Sequence, residues 1–112
     1  LLVDDDRDLA RLLDEYLGSH EVTLVHVEDG AKGLELLGKE SFDVVLLDVH
    51  VGPESGVELM RRLRERGGAP PVVLVTGSAR LDAKTQAEAD GLVAKPFRLE
   101  ELLGVVRRLV TR

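Results

Sequence analysis

Apolar residues along this chain alternate between two rhythms. Continuous apolar runs occupy 1–3, 44–47, 72–75 and 91–94, and each stops at a polar group: Asp4-Asp5, Asp48, Thr76 and Lys95-Pro96. Apolar residues on consecutive positions mark strands buried on both faces. Between the runs the spacing is helical. Leu9, Leu12, Leu13, Tyr16 and Leu17 form one stripe; Ala31, Leu34 and Leu37 a second; Val57, Met60 and Leu63 a third. A weaker helical stretch covers 82–89, and the clearest stripe is Leu99, Leu102, Leu103, Val106, Leu109 and Val110. Residues 22–27 have strand composition, Asp6 is placed as a helix N-cap, and Gly18, Gly38, Gly67-Gly68 and Pro70-Pro71 punctuate the elements.

The resulting order is βα repeated five times, which predicts an α/β domain with a parallel five-stranded sheet covered by helices on both faces. Right-handed crossovers place helices on both faces only if strand order reverses, and order 2-1-3-4-5 does so with strands 1 and 3 adjacent. Neighbouring strands lie about 4.8 Å apart. The carboxyl ends of four strands therefore bring Asp4, Asp5, Asp48, Thr76 and Lys95 to one edge. In doubly wound sheets that edge, at the reversal of order, is where ligands bind.

Composition narrows what the edge can do. The 112 residues make one domain, 1–112, with 44% hydrophobic and 32% charged residues, as in ordinary globular chains. A net charge of −6 argues against direct nucleic-acid binding by this domain. With no cysteine, thiolate metal sites, disulfides and cysteine nucleophiles are excluded. No apolar stretch approaches the roughly 18 residues of a membrane span, and a cytoplasmic setting is expected. The chain starts inside a strand without Met, and is read as part of a longer protein whose output domain lies elsewhere.

Three carboxylates at one point repel unless a cation sits among them. Oxygen-only ligands select a hard ion, and Mg²⁺ combines one or two carboxylates with waters and phosphate oxygens. Asp48 ends the central strand and is best placed to attack phosphorus, giving an aspartyl phosphate. Lys95 would neutralise phosphoryl charge beside Mg²⁺, Thr76 would hydrogen-bond a phosphoryl oxygen, and Gly77 leaves room for the incoming group. Each residue alone has an ordinary explanation, such as the helix cap assigned to Asp6. Their joint placement at successive strand ends does not. His20 and His26 are read as exposed or half-buried polar residues. Arg61, Arg62, Arg64 and Arg66 are read as a solvated face balanced by Glu58 and Glu65, and Gly30 and Gly33 lack the arrangement of a dinucleotide loop.

Leu-Val-Asp-Asp-Asp at 2–6, Val-Leu-Leu-Asp-Val at 45–49, Ser-Gly at 55–56, Val-Thr-Gly at 75–77 and Lys-Pro-Phe at 95–97 carry a resemblance. Over essentially its whole length the chain resembles the receiver domain of two-component response regulators, the CheY-like superfamily with its flavodoxin-like fold. The resemblance implies that Asp48 is the phosphoacceptor and that Asp4 and Asp5 hold Mg²⁺, with Asp5 the closer ligand. It gives the main-chain carbonyl of His50 to the metal, and makes Thr76 the switch hydroxyl and Lys95 the phosphoryl-binding lysine. The implied donor is a phosphohistidine on a sensor histidine kinase or histidine phosphotransfer protein. It is expected to dock on the exposed side of the first helix (Arg7, Arg11, Asp14) and the Pro96-Phe97 loop. A homodimer is a further possible assembly.

Three positions depart from the family pattern. Gly52 precedes Pro53 in the loop after the acceptor, Leu92 replaces the aromatic switch residue, and the segment from Thr76 to Lys95 is short by about one helical turn. Phosphorylation is therefore expected to move the loop after Thr76 and the short helix beyond it without an aromatic rotamer flip. Two other function classes compete. An Asp-nucleophile phosphatase of the haloacid dehalogenase type needs an Asp two residues after the nucleophile, where this chain has His50, and a cap domain, which is missing. A phosphorylation-independent pseudo-receiver would normally lose an acid or the lysine.

Overall fold

The computed structural model describes residues 1–77 and 81–110. The elements are β1 (Leu2–Val3), α1 (Arg7–Gly18), β2 (His26–Val27), α2 (Gly30–Lys39), β3 (Val45–Asp48), β4 (His50–Val51), β5 (Glu54–Ser55), α3 (Gly56–Arg66), β6 (Val72–Thr76), α4 (Ala83–Glu88), β7 (Gly91–Ala94) and α5 (Leu99–Val110). The main sheet has order β2-β1-β3-β6-β7 with every pairing parallel. Counting only its own strands, that is the expected 2-1-3-4-5.

The runs of β1, β3 and β6 are apolar on consecutive residues because both faces are covered, whereas the run 91–94, expected to be buried likewise, forms the edge strand β7 and leaves Leu92 and Ala94 exposed. Val3, Val45, Leu47, Val72 and Leu74 point into one core with Leu59, Met60 and Leu63 of α3 and the half-buried Leu34 and Leu37 of α2. Leu2, Leu46, Val73 and Val93 point into the other, with Leu13 and Leu17 of α1 and Leu102, Val106 and Leu109 of α5. A side-chain period of two along each strand sorts neighbours into opposite layers. Leu12 belongs to the apolar stripe of α1 yet is 48% exposed.

Helix starts follow their caps. The Leu9 N–H donates to Asp6 at 3.0 Å, Lys32 N–H to Asp29 at 2.8 Å, and Thr85 N–H to Asp82 at 2.7 Å. Each side chain satisfies an amide the first turn leaves unpaired.

Three expectations need correction. Only His26–Val27 of the strand-like stretch 22–27 enters the sheet. At the edge there is one neighbouring strand to pair with, and residues 22–25 approach β1 mainly through the Leu2 N–H donated to Val25 O. Second, the loop after Asp48 forms a small antiparallel hairpin, β4 with β5, that periodicity did not reveal. Gly52 at φ +58° opens its two-residue turn and Pro53 follows, the positive φ that such turns require.

The third correction concerns α3. Arg61, Arg64 and Arg66 are cross-links, while Arg62 is exposed as expected of a solvated face. Arg61 does lie 3.6 Å from Glu58, but its guanidinium also grips Glu88 of α4 with two bonds of 3.1 Å. Arg64 reaches the Glu88 carbonyl at 2.6 Å and Asp90 at 2.8 Å, while Arg66 donates to the Leu34 carbonyl of α2 at 3.2 Å. The Glu88 and Asp90 partners of Arg61 and Arg64 lie more than 20 residues away, so local spacing carries no sign of them.

Helix α4 is six residues long, too short to persist alone in water. Its attachment to α3 should therefore govern its order. In Arg61→Ala, amide exchange over residues 83–88 is expected to quicken several-fold while the β3 and β6 amides stay protected; unchanged exchange in α4 would refute the clamp. Arg61 holds the Glu88 carboxyl below the usual glutamate range. A depressed acid contributes stability above its unfolded pKa and loses it as pH falls through the folded one. The same loosening should thus appear in the wild type on acidification below about pH 4. Residues 78–80 of the loop expected to move on phosphorylation lie outside the described residues.

Candidate functional site

Asp4 follows β1 directly and Asp48 is the last residue of β3, so the adjacency of those strands sets the two carboxylates side by side. Asp4 is 1% and Asp48 8% exposed, whereas Asp5 is exposed. Each buried carboxylate has one oxygen tied down by backbone. Asp4 Oδ1 accepts the Asp6 N–H at 2.9 Å, and Asp48 Oδ1 accepts the His50 N–H at 3.2 Å. Their other oxygens face Lys95, whose Nζ lies 3.5 Å from both Asp4 Oδ2 and Asp48 Oδ2. Lys95 is held there by the sheet, since its N–H donates to the Thr76 carbonyl at 2.7 Å. Thr76 is buried at the end of β6, on the strand next to Asp48. His50 is exposed and leads into the hairpin.

The predicted residues thus converge, with Lys95 the cation between two acids. Burial pushes the Asp4 carboxyl above its ordinary range, and the neighbouring charge of Asp48 adds to that, against the opposing pull of the Asp6 N–H and Lys95. For an acid, a raised folded pKa means that the charged form costs stability: the cost is absent below the unfolded pKa and complete above the folded one. Once Asp4 is charged, the cluster carries that cost, which a cation among the acids would relieve.

Oxygens from Asp4, Asp5 and Asp48 lie within 4.8 Å of one another. An octahedral Mg²⁺ keeps its oxygens about 2.0–2.1 Å away, so two of them span up to about 4.2 Å. Only an opposite pair can stand that far apart, and adjacent oxygens lie about 3 Å from each other, so the three must draw in, a movement that exposed Asp5 can supply by a rotamer change. Three hard oxygen donors beside buried negative charge fit such an ion.

Asp4→Asn removes the costly charge and should raise the thermal midpoint in metal-free buffer. Added Mg²⁺ should then stabilise the wild type but not the variant. A lower midpoint for Asp4→Asn in EDTA would contradict this electrostatic reading.

Three site features escaped sequence reasoning. Gly56, the first residue of α3, packs so closely under the end of β3 that a Cβ there would stand 1.9 Å from the Asp48 carbonyl oxygen. The Ser-Gly pair at 55–56 was its only trace. Glu54 accepts the Gly30 N–H at 3.0 Å, tying the hairpin to the start of α2. His26, half-buried as expected, is not idle: its Nε2–H donates to the Asp4 carbonyl at 2.7 Å. Of the expected donor-docking residues, Arg7 pairs with Glu28, and Arg11 stays exposed, 3.7 Å from Asp8.

The family model described as the response regulator receiver domain matches residues 1–107. The chain belongs to this family. It is 35% identical over its whole length to the transcriptional regulatory protein CpxR of Escherichia coli (strain K12), covering 49% of that protein. The receiver therefore spans about half the length of the curated relatives it matches. It is 34% identical to the receiver domain of TorR, the response regulator of the TMAO respiratory system, with a TM-score of 0.88 over 99% of this chain and 94% of that one. It is also 28% identical, with a TM-score of 0.86 over 96% and 95%, to the response regulator TrrA of Thermotoga maritima, solved in complex with Mg²⁺-BeF. Another structure holds TrrA in complex with the histidine kinase ThkA. Family membership makes this receiver a phosphorelay signalling domain.

Proposed function

We propose that Asp48 is the phosphoacceptor of this receiver, served by Lys95 and Thr76 and by Mg²⁺ on Asp4, Asp5, Asp48 and the His50 main-chain carbonyl. The observation that carries the reading is the acid pair with Lys95 Nζ 3.5 Å from each member. Asp48 Oδ2 attacks the phosphorus of a phosphohistidine, the new P–O bond forms as the P–N bond breaks, and the imidazole leaves with the bonding electron pair. Little besides alignment and neutralisation is needed for such a transfer. Lys95 holds a phosphoryl oxygen and offsets its charge, and the Thr76 hydroxyl takes another. Bound Mg²⁺ supplies the remaining positive charge. The donor is a sensor histidine kinase or a phosphotransfer protein, as the TrrA–ThkA complex supports by analogy. It docks over the exposed side of α1, with Arg11 and Asp14, and the Pro96-Phe97 loop. The setting is cytoplasmic, and the chain acts as a phosphoacceptor that transfers to itself and dephosphorylates, rather than as an enzyme on other substrates. His50 at the position where a phosphatase of this chemistry keeps its acid supports that choice.

Incubation with acetyl phosphate and Mg²⁺, followed by intact mass, tests the reading. One phosphoryl adduct is expected, and excess EDTA should abolish it, because an ion held by few protein oxygens keeps its waters and tightens only when phosphate oxygens arrive. Undiminished uptake in EDTA, or no adduct with Mg²⁺ present, would overturn it.

A further inference from the structure

His26 lies on the edge strand, outside the acid cluster, yet its imidazole bonds the peptide that joins two of the cluster's members. Asp4 and Asp5 share one peptide unit, and its carbonyl is the group that accepts from His26 Nε2 at 2.7 Å. A carbonyl can only accept, so Nε2 carries the hydrogen. The backbone explains why a side chain is used here. Leu2 N–H donates to Val25 O and Asp4 N–H to Val27 O, the regular parallel ladder. The next rung would take the Asp29 N–H to the Asp4 carbonyl. Asp29 is instead turned into the N-cap of α2, where its side chain accepts the Lys32 N–H. β2 is only two residues long, so this rung falls beyond its end. The His26 side chain reaches along the strand to the place the ladder vacates.

We propose that His26 is a positioning residue for the metal-binding acids: by fixing the Asp4–Asp5 peptide plane it sets where both carboxylates stand relative to Asp48. The proposal rests on the phosphoacceptor reading above. Asp4 has little freedom of its own, being buried with Oδ1 on the Asp6 N–H. The orientation of the peptide therefore passes directly to the Asp4 carboxylate, and for exposed Asp5 it fixes the backbone from which the side chain reaches the cluster. Ligand sets tolerate displacements of only about 0.5 Å, and loss of an outer partner that orients ligands typically costs 10–100-fold in metal affinity.

The test is the Mg²⁺ dependence of acetyl phosphate labelling, read beside Mg²⁺ titrations of the unphosphorylated domain by amide NMR. His26→Leu keeps bulk and strand compatibility but has no donor. Its half-saturating Mg²⁺ should rise about tenfold, with the labelling rate at saturating Mg²⁺ close to wild type. His26→Gln, whose amide nitrogen can reach the same carbonyl, should restore the wild-type requirement. His26→Val supplies a second donor-free variant should the leucine fail to fold. A Mg²⁺ requirement unchanged in a folded donor-free variant, or a His26→Gln variant as impaired as His26→Leu, would overturn the proposal while leaving Asp48 as acceptor. A wild type that neither binds Mg²⁺ nor labels would overturn the phosphoacceptor reading itself.

Discussion

Asp48→Asn will take up no phosphoryl group from acetyl phosphate under conditions that label the wild type. An amide oxygen lacks the charge that makes a carboxylate a nucleophile, and no other described acid combines its features. Asp4 shares the contact with Lys95 but is more deeply buried, 1% exposed against 8% for Asp48. Asp5 is exposed and is not among the ion-pair partners of Lys95. The variant should fold, because the substituted amide would keep an oxygen for the His50 N–H, and removing one of two neighbouring charges relieves Asp4. Intact mass gives the yield and peptide mapping the position. Labelling of Asp48→Asn to the wild-type extent would move the acceptor elsewhere in the cluster.

The fold was legible because burial on both faces writes itself into the chain. Runs such as Val45 to Leu47 and Val72 to Val75 are apolar throughout because helices cover both sides, while the run 91–94 at the sheet edge is covered on one side only, and the polar stops of all four fall where the sheet ends. Asp4, Asp48 and Lys95 could be placed before any geometry was known, since parallel order and strand adjacency are enough to bring their strand ends together. What stayed hidden depends on distant partners. Nothing in the spacing of Arg61 and Arg64 distinguishes a solvated face from a clamp on Glu88 and Asp90, because the deciding contact is made across two helices. His26 was likewise ambiguous. An imidazole on an edge strand reads as an ordinary surface group until the premature end of β2 leaves a carbonyl for it to meet.

The departures from the family pattern gain physical content from the same contacts. Leu92 is 41% exposed on edge strand β7, so no buried ring there exchanges position with Thr76. Helix α4 is short but fastened at its carboxyl end by two arginines of α3, and α3 starts directly beneath Asp48. A response at the acceptor thus has a short mechanical route to α4 through α3. Its extent would be a bias on an existing equilibrium rather than a new fold.

Gly56→Ala is the substitution expected to damage both stability and chemistry most. The alanine Cβ would stand 1.9 Å from the Asp48 carbonyl oxygen and 2.9 Å from the Val49 Cα. Both neighbours are backbone, so no side-chain rotation opens space. Either α3 must lift or the end of β3 must shift, and the Gly56 N–H bond to Val49 O at 2.7 Å opposes the first. Overpacking of this kind costs about 1–3 kcal/mol and occasionally more. The upper end is expected here, a fall of roughly 15 °C in thermal midpoint. Phosphorylation should suffer beyond this loss, since displacing a reacting group by about 1 Å can cost on the order of a hundredfold in rate. Gly104→Ala in α5 is the control: its Cβ meets nothing within 4 Å, and alanine favours an exposed helical position over glycine. Calorimetry and labelling rates on folded protein separate the two effects. If Gly56→Ala melts and labels like Gly104→Ala, the close approach of α3 to Asp48 does not set the acceptor's position.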